Sequence, residues 1–218
     1  MRLCVICEGH TEAEFVKTCL EPHLREYGIT TYPSLLKTKP GRRGGGDVNV
    51  TRIIKHLYHE FPNTDAITTL VDYYGFSHRG GMSAEELEAQ ILEKSLERFP
   101  KTNQKRIVPY IQMYEFEALL FADVRKFEWV LDGWNSATEK TLREINNRFP
   151  DPESINDNPK TAPSKRLESI FGGFYSKTEH GPIIAEEIGL PAIRQACPRF
   201  HQWLIKLEAM REEINPQH

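Results

Sequence analysis

Acids that stand just after short apolar runs are placed to hold a hard cation, and this chain has such acids at the ends of several runs. Glu8 closes the run Leu3 to Cys7, Asp72 closes Ala66 to Val71, and Glu115 and Glu117 follow Arg106 to Met113. Mg²⁺ and Mn²⁺ take carboxylate oxygens as ligands. Such an ion neutralises charge building on a phosphoryl group and polarises the attacking water. Glu8 and Asp72 are the first-choice metal ligands and catalytic acids, with Glu115 and Glu117 as further ligands, of which only one need face the ion. Glu12, in a first helical turn, either contributes through water or complements the helix dipole. Taken singly, each acid has an ordinary explanation as a strand end, a turn initiator or a favoured acid at a helix start. Their joint placement is what points to a metal.

The elements that must carry these acids are legible as alternating strands and helices. Arg2 to Cys7 reads as a buried strand stopping at Glu8-Gly9. A helix then begins at Thr11, with Glu14 completing a capping box, and runs to Gly28 with a kink or break at Pro22. Ile29 to Lys37 is a second strand, Val50 to Glu60 a helix, Ala66 to Val71 a third strand, and Ser83 with Glu86 caps a helix ending at Pro100. Arg106 to Met113 is a further strand, with Pro109 suited to an edge or bulge. This rhythm predicts an α/β fold with a mostly parallel sheet flanked by helices. In such sheets the functional crevice lies at the carboxyl ends of the strands, where all of these acids fall. After Asp123 the strand signal gives way to helical stripes such as Phe200, Trp203, Leu204, Leu207 and Met210. The expected organisation is an α/β domain over residues 1–122 with a helical extension, residues 123–218, packed on it. The turn-rich stretch Pro150 to Pro163 is either a loop over the site or a spacer.

Composition sets outer limits. With 218 residues, 39% hydrophobic and 27% charged, the chain can bury one substantial core, and its net charge of −3 excludes a surface that grips phosphate backbones by overall excess of base. No stretch approaches the roughly 20 apolar residues of a transmembrane helix and no export signal is visible, so a cytoplasmic protein with no membrane partner is expected. Cys4 and Cys7 spell C-x-x-C, but within a strand that spacing sends the side chains to opposite faces, which favours buried hydrophobes over a redox or zinc pair.

The segments Glu8-Gly9-His10-Thr11-Glu12 and Val71-Asp72-Tyr73-Tyr74 resemble the two acidic motifs of the Toprim fold, shared by topoisomerases, primases and the overcoming-lysogenization-defect nucleases. More closely, Asp72-Tyr73-Tyr74-Gly75-Phe76, Glu115-Phe116-Glu117-Ala118-Leu119-Leu120-Phe121 and Ala162-Pro163-Ser164-Lys165-Arg166-Leu167 resemble the domain of unknown function 4276 family. The resemblance implies a Toprim-like sheet and Mg²⁺- or Mn²⁺-dependent cleavage of a nucleic-acid phosphodiester, DNA more than RNA, and an ATPase partner in anti-phage defence. It also ties Lys165 to a catalytic role in stabilising developing charge, with Arg166 beside it. One departure matters: Tyr74 stands where the broader Toprim pattern has a second aspartate, so one ligand is missing, which Glu115 or Glu117 could supply from the next strand end, and the site holds either one ion or two.

Other candidates are weaker. Arg42 and Arg43 among glycines either cradle a phosphate or form a surface loop. His78, like His10, lies in a site loop and is placed to assist proton transfer. Tyr73 and Tyr74 either stack a base or pack, and Ser164 either joins the site or caps its helix. Two other readings stand beside the nuclease: a phosphohydrolase acting on nucleotides, which the acidic charge suits, and a non-catalytic module that binds a partner through its helical half.

Overall fold

β1 (Arg2–Cys7) is buried at every position after Arg2, and β3 (Ala66–Asp72) is buried throughout. Strands that are apolar without alternation belong in a sheet covered on both faces. The computed structural model, which describes residues 1–36, 48–156 and 158–214, has that arrangement. The sheet order is β2-β1-β3-β4, with β2 spanning Thr30–Leu35 and β4 Ile107–Val108, and β5 (Ile111–Gln112) also pairs with β3. Every pairing is parallel. The fold class is therefore α/β with a parallel sheet and a helical C-terminal region.

Each strand face feeds its own apolar cluster. Leu3, Val5 and Cys7 pack with Phe15, Val16 and Leu20, whereas Cys4 and Ile6 pack with Ile53 and Leu57 of α3 (Val50–Glu60) and Leu87 and Ile91 of α4 (Ala84–Arg98). Cys4 and Cys7 thus lie on opposite faces, as the strand period requires. Burial pushes the Cys4 thiol up to about 12 and the Cys7 thiol well above its ordinary value, so neither is a thiolate at neutral pH.

The first crossover differs in detail from the sequence expectation. α1 (His10–Phe15) is capped at Gly9, whose amide donates to Glu12 Oε2 at 2.9 Å, while Glu14 pairs with Lys17 on the surface. The capping acid is Glu12, not Glu14, because the chain enters the helix directly from the turn after β1. A π turn (Val16–Leu20) then leads without a break into α2 (Glu21–Arg25), with Pro22, which has no amide to donate, in the first turn after the change of helix type.

Pro109 splits the expected fourth strand into β4 and β5. Across the break the Tyr110 amide donates to Thr69 Oγ1 at 2.8 Å, and beyond it the Ile111 amide donates to Glu88 Oε1 at 2.8 Å.

After β5 comes a long 3₁₀ segment, Phe116–Trp129, broken at Asp123. It is followed by α5 (Ser136–Asn146), α6 (Pro163–Phe171), α7 (Lys177–Ile188), α8 (Leu190–Ala196) and α9 (Pro198–Ile214). Leu119, Leu120, Ile184, Phe200, Trp203 and Leu207 from these segments share one apolar cluster with Leu3 and Val5 of β1. Full burial of a side chain such as Phe200 stabilises by about 1.5–3 kcal/mol, so the helical half is bound to the sheet by its core. The turn-rich stretch is anchored by Glu153, which accepts the Arg199 and Phe200 amides at 2.7 and 3.1 Å and so closes the start of α9.

Candidate functional site

From β1 the chain steps to β2 on one side, and β3 is laid down on the other, so the strand order reverses between β1 and β3. A parallel sheet opens a crevice at the carboxyl ends of two such strands. Glu8 follows the last residue of β1 and Asp72 is the last residue of β3. The third acidic segment arrives from β5 through a turn in which Tyr114 takes φ 60 and its carbonyl accepts the Tyr74 amide at 3.0 Å. That turn starts the 3₁₀ segment with Glu115 at its cap and Glu117 in its first turn.

These segments meet in a cleft of ≈ 330 Å³ lined by Glu8, Asp72, Tyr74, Gly75, Glu115, Ser164, Lys165, Glu168, Tyr175 and Lys177. At its floor the Lys177 ammonium faces three acids. Lys177 Nζ lies 3.0 Å from Glu117 Oε2, 3.2 Å from Asp72 Oδ2 and 4.0 Å from Glu12 Oε1. Glu117 is 0% exposed and Asp72 6%, and Asp72 Oδ1 and Glu117 Oε1 are buried without a hydrogen bond among the described residues. Gly75 makes room for the fourth acid, since a Cβ there would overlap Glu8 Oε2.

The electrostatics follow from this crowding. Burial, with Asp72 close by, raises Glu12 to about 7, and burial raises Glu117 to about 7 although Lys177 pulls it back. Asp72 is raised by burial as well, against the pull of Lys177. Burial alone would lower Lys177, but Asp72, Glu117 and Glu12 together hold it well above its ordinary value. The site is thus a set of desolvated carboxylates that depends on a cation.

Among the described residues no three His, Cys, Asp or Glu side chains are drawn closely enough together to hold an ion by themselves. The donor set nevertheless fits a hard divalent cation: every candidate ligand is a carboxylate oxygen, and two of those oxygens are buried without a donor. Lys177 Nζ supplies the positive charge at their centre.

The other predicted residues divide. Glu115 lines the cleft and its Oε2 accepts the Ser164 amide at 2.8 Å. An acid from a distant segment therefore closes the start of α6, and Ser164 is the capped residue, with no side-chain capping bond of its own. Lys165 reaches the cleft wall, but its Nζ pairs with exposed Glu168 at 2.7 Å. Tyr74 sits on the rim with its ring 5.4 Å from Tyr114 and under Arg79 at 5.3 Å. Arg166 is directed elsewhere, donating to the Thr161 carbonyl at 2.7 Å and lying over Phe149 at 5.4 Å. His78 is exposed and does not line the cleft. Arg42 and Arg43 lie outside the described residues.

Sequence reasoning passed over Lys177 and Tyr175. Lys177 opens α7, where the helix dipole disfavours a cation. A lysine in that position needs an anionic partner, which was the available signal. Tyr175 carried none.

The family model described as Domain of unknown function (DUF4276) matches residues 7–208. The chain belongs to this family. The match takes in every acid of the cleft as well as Tyr175 and Lys177 from the helical half. No curated protein matches the sequence. Among solved structures, the C-terminal region of the Xanthomonas campestris pv. campestris OLD protein is similar at 17% identity and a TM-score of 0.41, with 97% of each chain covered. That likeness is too faint to bear on chemistry. Among the described residues no helix is long and apolar enough to cross a membrane.

Proposed function

We propose that this DUF4276 protein is a Toprim-like, divalent-metal-dependent phosphodiesterase acting on nucleic acid, DNA before RNA, in the cytoplasm. The observation that carries the reading is the pair of buried carboxylates, Asp72 and Glu117, with oxygens left without a hydrogen bond among the described residues, beside the Lys177 ammonium. Asp72, Glu117 and Glu8 would hold Mg²⁺ or Mn²⁺, with Glu115 at the edge of the set and Glu12 behind it. The metal would supply an activated water and neutralise charge on the phosphoryl oxygens.

The protein's own residues have distinct parts in this reading. Glu12 fixes the start of α1 through the Gly9 amide, which keeps Glu8 at the strand end. Glu115 ties α6 to the acidic segment through Ser164, so Lys165 is presented at the cleft wall. Lys177 balances the acids and has a partly exposed side chain from which it can meet an anionic substrate. An ATPase partner in phage defence belongs to the same proposal and rests on the resemblance of the motifs.

A nuclease assay tests it. Plasmid and single-stranded DNA incubated with Mn²⁺ should be cleaved by the wild-type protein, and Asp72→Ala and Glu8→Ala should abolish cleavage. Cleavage that persists in both variants would refute the assignment. The small cleft also suits a phosphomonoester such as a nucleotide, and phosphate release from mononucleotides would favour that second reading.

A further inference from the structure

Tyr175 lines the cleft, yet its hydroxyl is buried and makes no hydrogen bond among the described residues. Buried tyrosine hydroxyls ordinarily find a partner, and leaving one without is destabilising. The ring is held in place by its neighbours: His180 lies 6.0 Å away in a stacked arrangement, and Phe127 and Phe171 lie 6.4 Å away. Gly181 of α7 lies against the hydroxyl: a Cβ there would stand 3.7 Å from Tyr175 Oη, in ordinary contact, and 3.1 Å from Thr11 Cγ2. The hydroxyl is thus fixed at a wall of the site with nothing among the described residues to satisfy it.

The backbone explains its direction. Ser176, between Tyr175 and Lys177, is extended (φ −117, ψ 117), and in extended chain residues two apart fall on the same side. The Ser176 amide donates to His180 Nδ1 at 2.9 Å, which pins the segment. Tyr175 and Lys177 are therefore delivered together to the cleft from the start of α7, facing the acids that the strand ends deliver. Burial pushes the phenol well above its ordinary value, so it stays protonated and can only serve as a donor to an anion.

We propose that Tyr175 Oη is a substrate-binding donor that accepts no role in the metal cage and instead hydrogen-bonds a non-bridging oxygen of the bound phosphate. This rests on the reading of the cleft as a phosphoryl site. It divides the labour by origin: strand ends supply oxygen ligands, and the Tyr175–Lys177 segment supplies donors to the phosphate.

Tyr175→Phe removes one oxygen and no hydrogen bond among the described residues. Wild-type and variant proteins are titrated by calorimetry with Mn²⁺ alone and, in Mg²⁺ buffer, with inorganic phosphate, and their urea midpoints are compared. The expected result is about a fivefold to tenfold loss of phosphate affinity, Mn²⁺ affinity within twofold, and a midpoint that is unchanged or higher. Equal phosphate binding by both proteins, a parallel loss of Mn²⁺ affinity, a lowered midpoint, or a wild-type protein that does not bind phosphate would each overturn the proposal. Tyr175-dependent phosphate binding in a protein that does not bind Mn²⁺ would sink the metal reading and leave this one standing.

Discussion

Replacing Lys177 with methionine tests whether its ammonium and a divalent ion claim the same oxygens. Lys177 Nζ stands 3.0 Å from Glu117, 3.2 Å from Asp72 and 4.0 Å from Glu12, so an ion entering among those acids must displace it. Breaking a buried charge pair costs about 3–5 kcal/mol. The Lys177 side chain is 37% exposed, and water screening reduces that to about 1.5–3 kcal/mol. At about 1.4 kcal/mol per tenfold, Lys177→Met should bind Mn²⁺ about 10-fold to 100-fold more tightly than wild type. Protons compete for the same site. Glu12 and Glu117 already sit at about 7 with the lysine present, and removing it drives them higher, so the gain is masked at neutral pH. Calorimetric titration at about pH 8.5, above that range, separates the two effects. A variant that binds Mn²⁺ no more tightly than wild type at that pH would refute the shared-site reasoning and leave Lys177 as a permanent counter-charge.

Gly75→Ala should weaken Mn²⁺ binding by about tenfold (~1.4 kcal/mol), because the new Cβ overlaps Glu8 Oε2; an unchanged titration would remove Glu8 from the cage. Glu153→Ala should lower stability by about 2 kcal/mol in urea denaturation, since two amides at the start of α9 lose their acceptor, and a change below about 0.5 kcal/mol would contradict that role. Metal-free stability should fall as pH rises from about 4.5 to about 7, because Glu12, Glu88, Glu117 and Glu153 are raised from 4.5 to about 7 in the folded protein and bind protons there that the unfolded chain has released. Urea midpoints at pH 5.5 and 8 measure this, and a higher midpoint at pH 8 would show that these acids are not desolvated in the folded state.

The parts of the fold that were legible in the sequence are those in which one local signal decides the outcome. β1 and β3 announced themselves by unbroken apolar runs, α3 matches Val50 to Glu60 in full, and the Ser83–Glu86 capping box forms as read, with Glu86 Oε2 2.7 Å from the Ser83 amide. The convergence of Glu8, Asp72, Glu115 and Glu117 followed from parallel topology, since every parallel strand points its carboxyl end the same way. The parts that were not legible depend on pairings between distant segments. Glu115 caps a helix beginning 48 residues later at Pro163, and Lys177 joins acids from three earlier elements. Periodicity carries no information about such pairings. Arg166 illustrates the converse, because a motif position beside Lys165 places it on the same helix but turns it toward Phe149 instead of the cleft.

The helical half is therefore more than a cover for the sheet. Its apolar residues complete the cluster that buries Leu3, Val5 and Cys7, and without that cover the strand bearing Glu8 would expose its face to water. The same half supplies Lys177, which balances Asp72 and Glu117, and Ser164, whose amide fixes Glu115. Desolvated acids cannot be gathered at strand ends unless something both excludes water and answers their charge. In this chain the counter-charge and part of the apolar cover come from residues after position 160, so the acids of the strand ends and the donors of the helices form a single site that neither half contains.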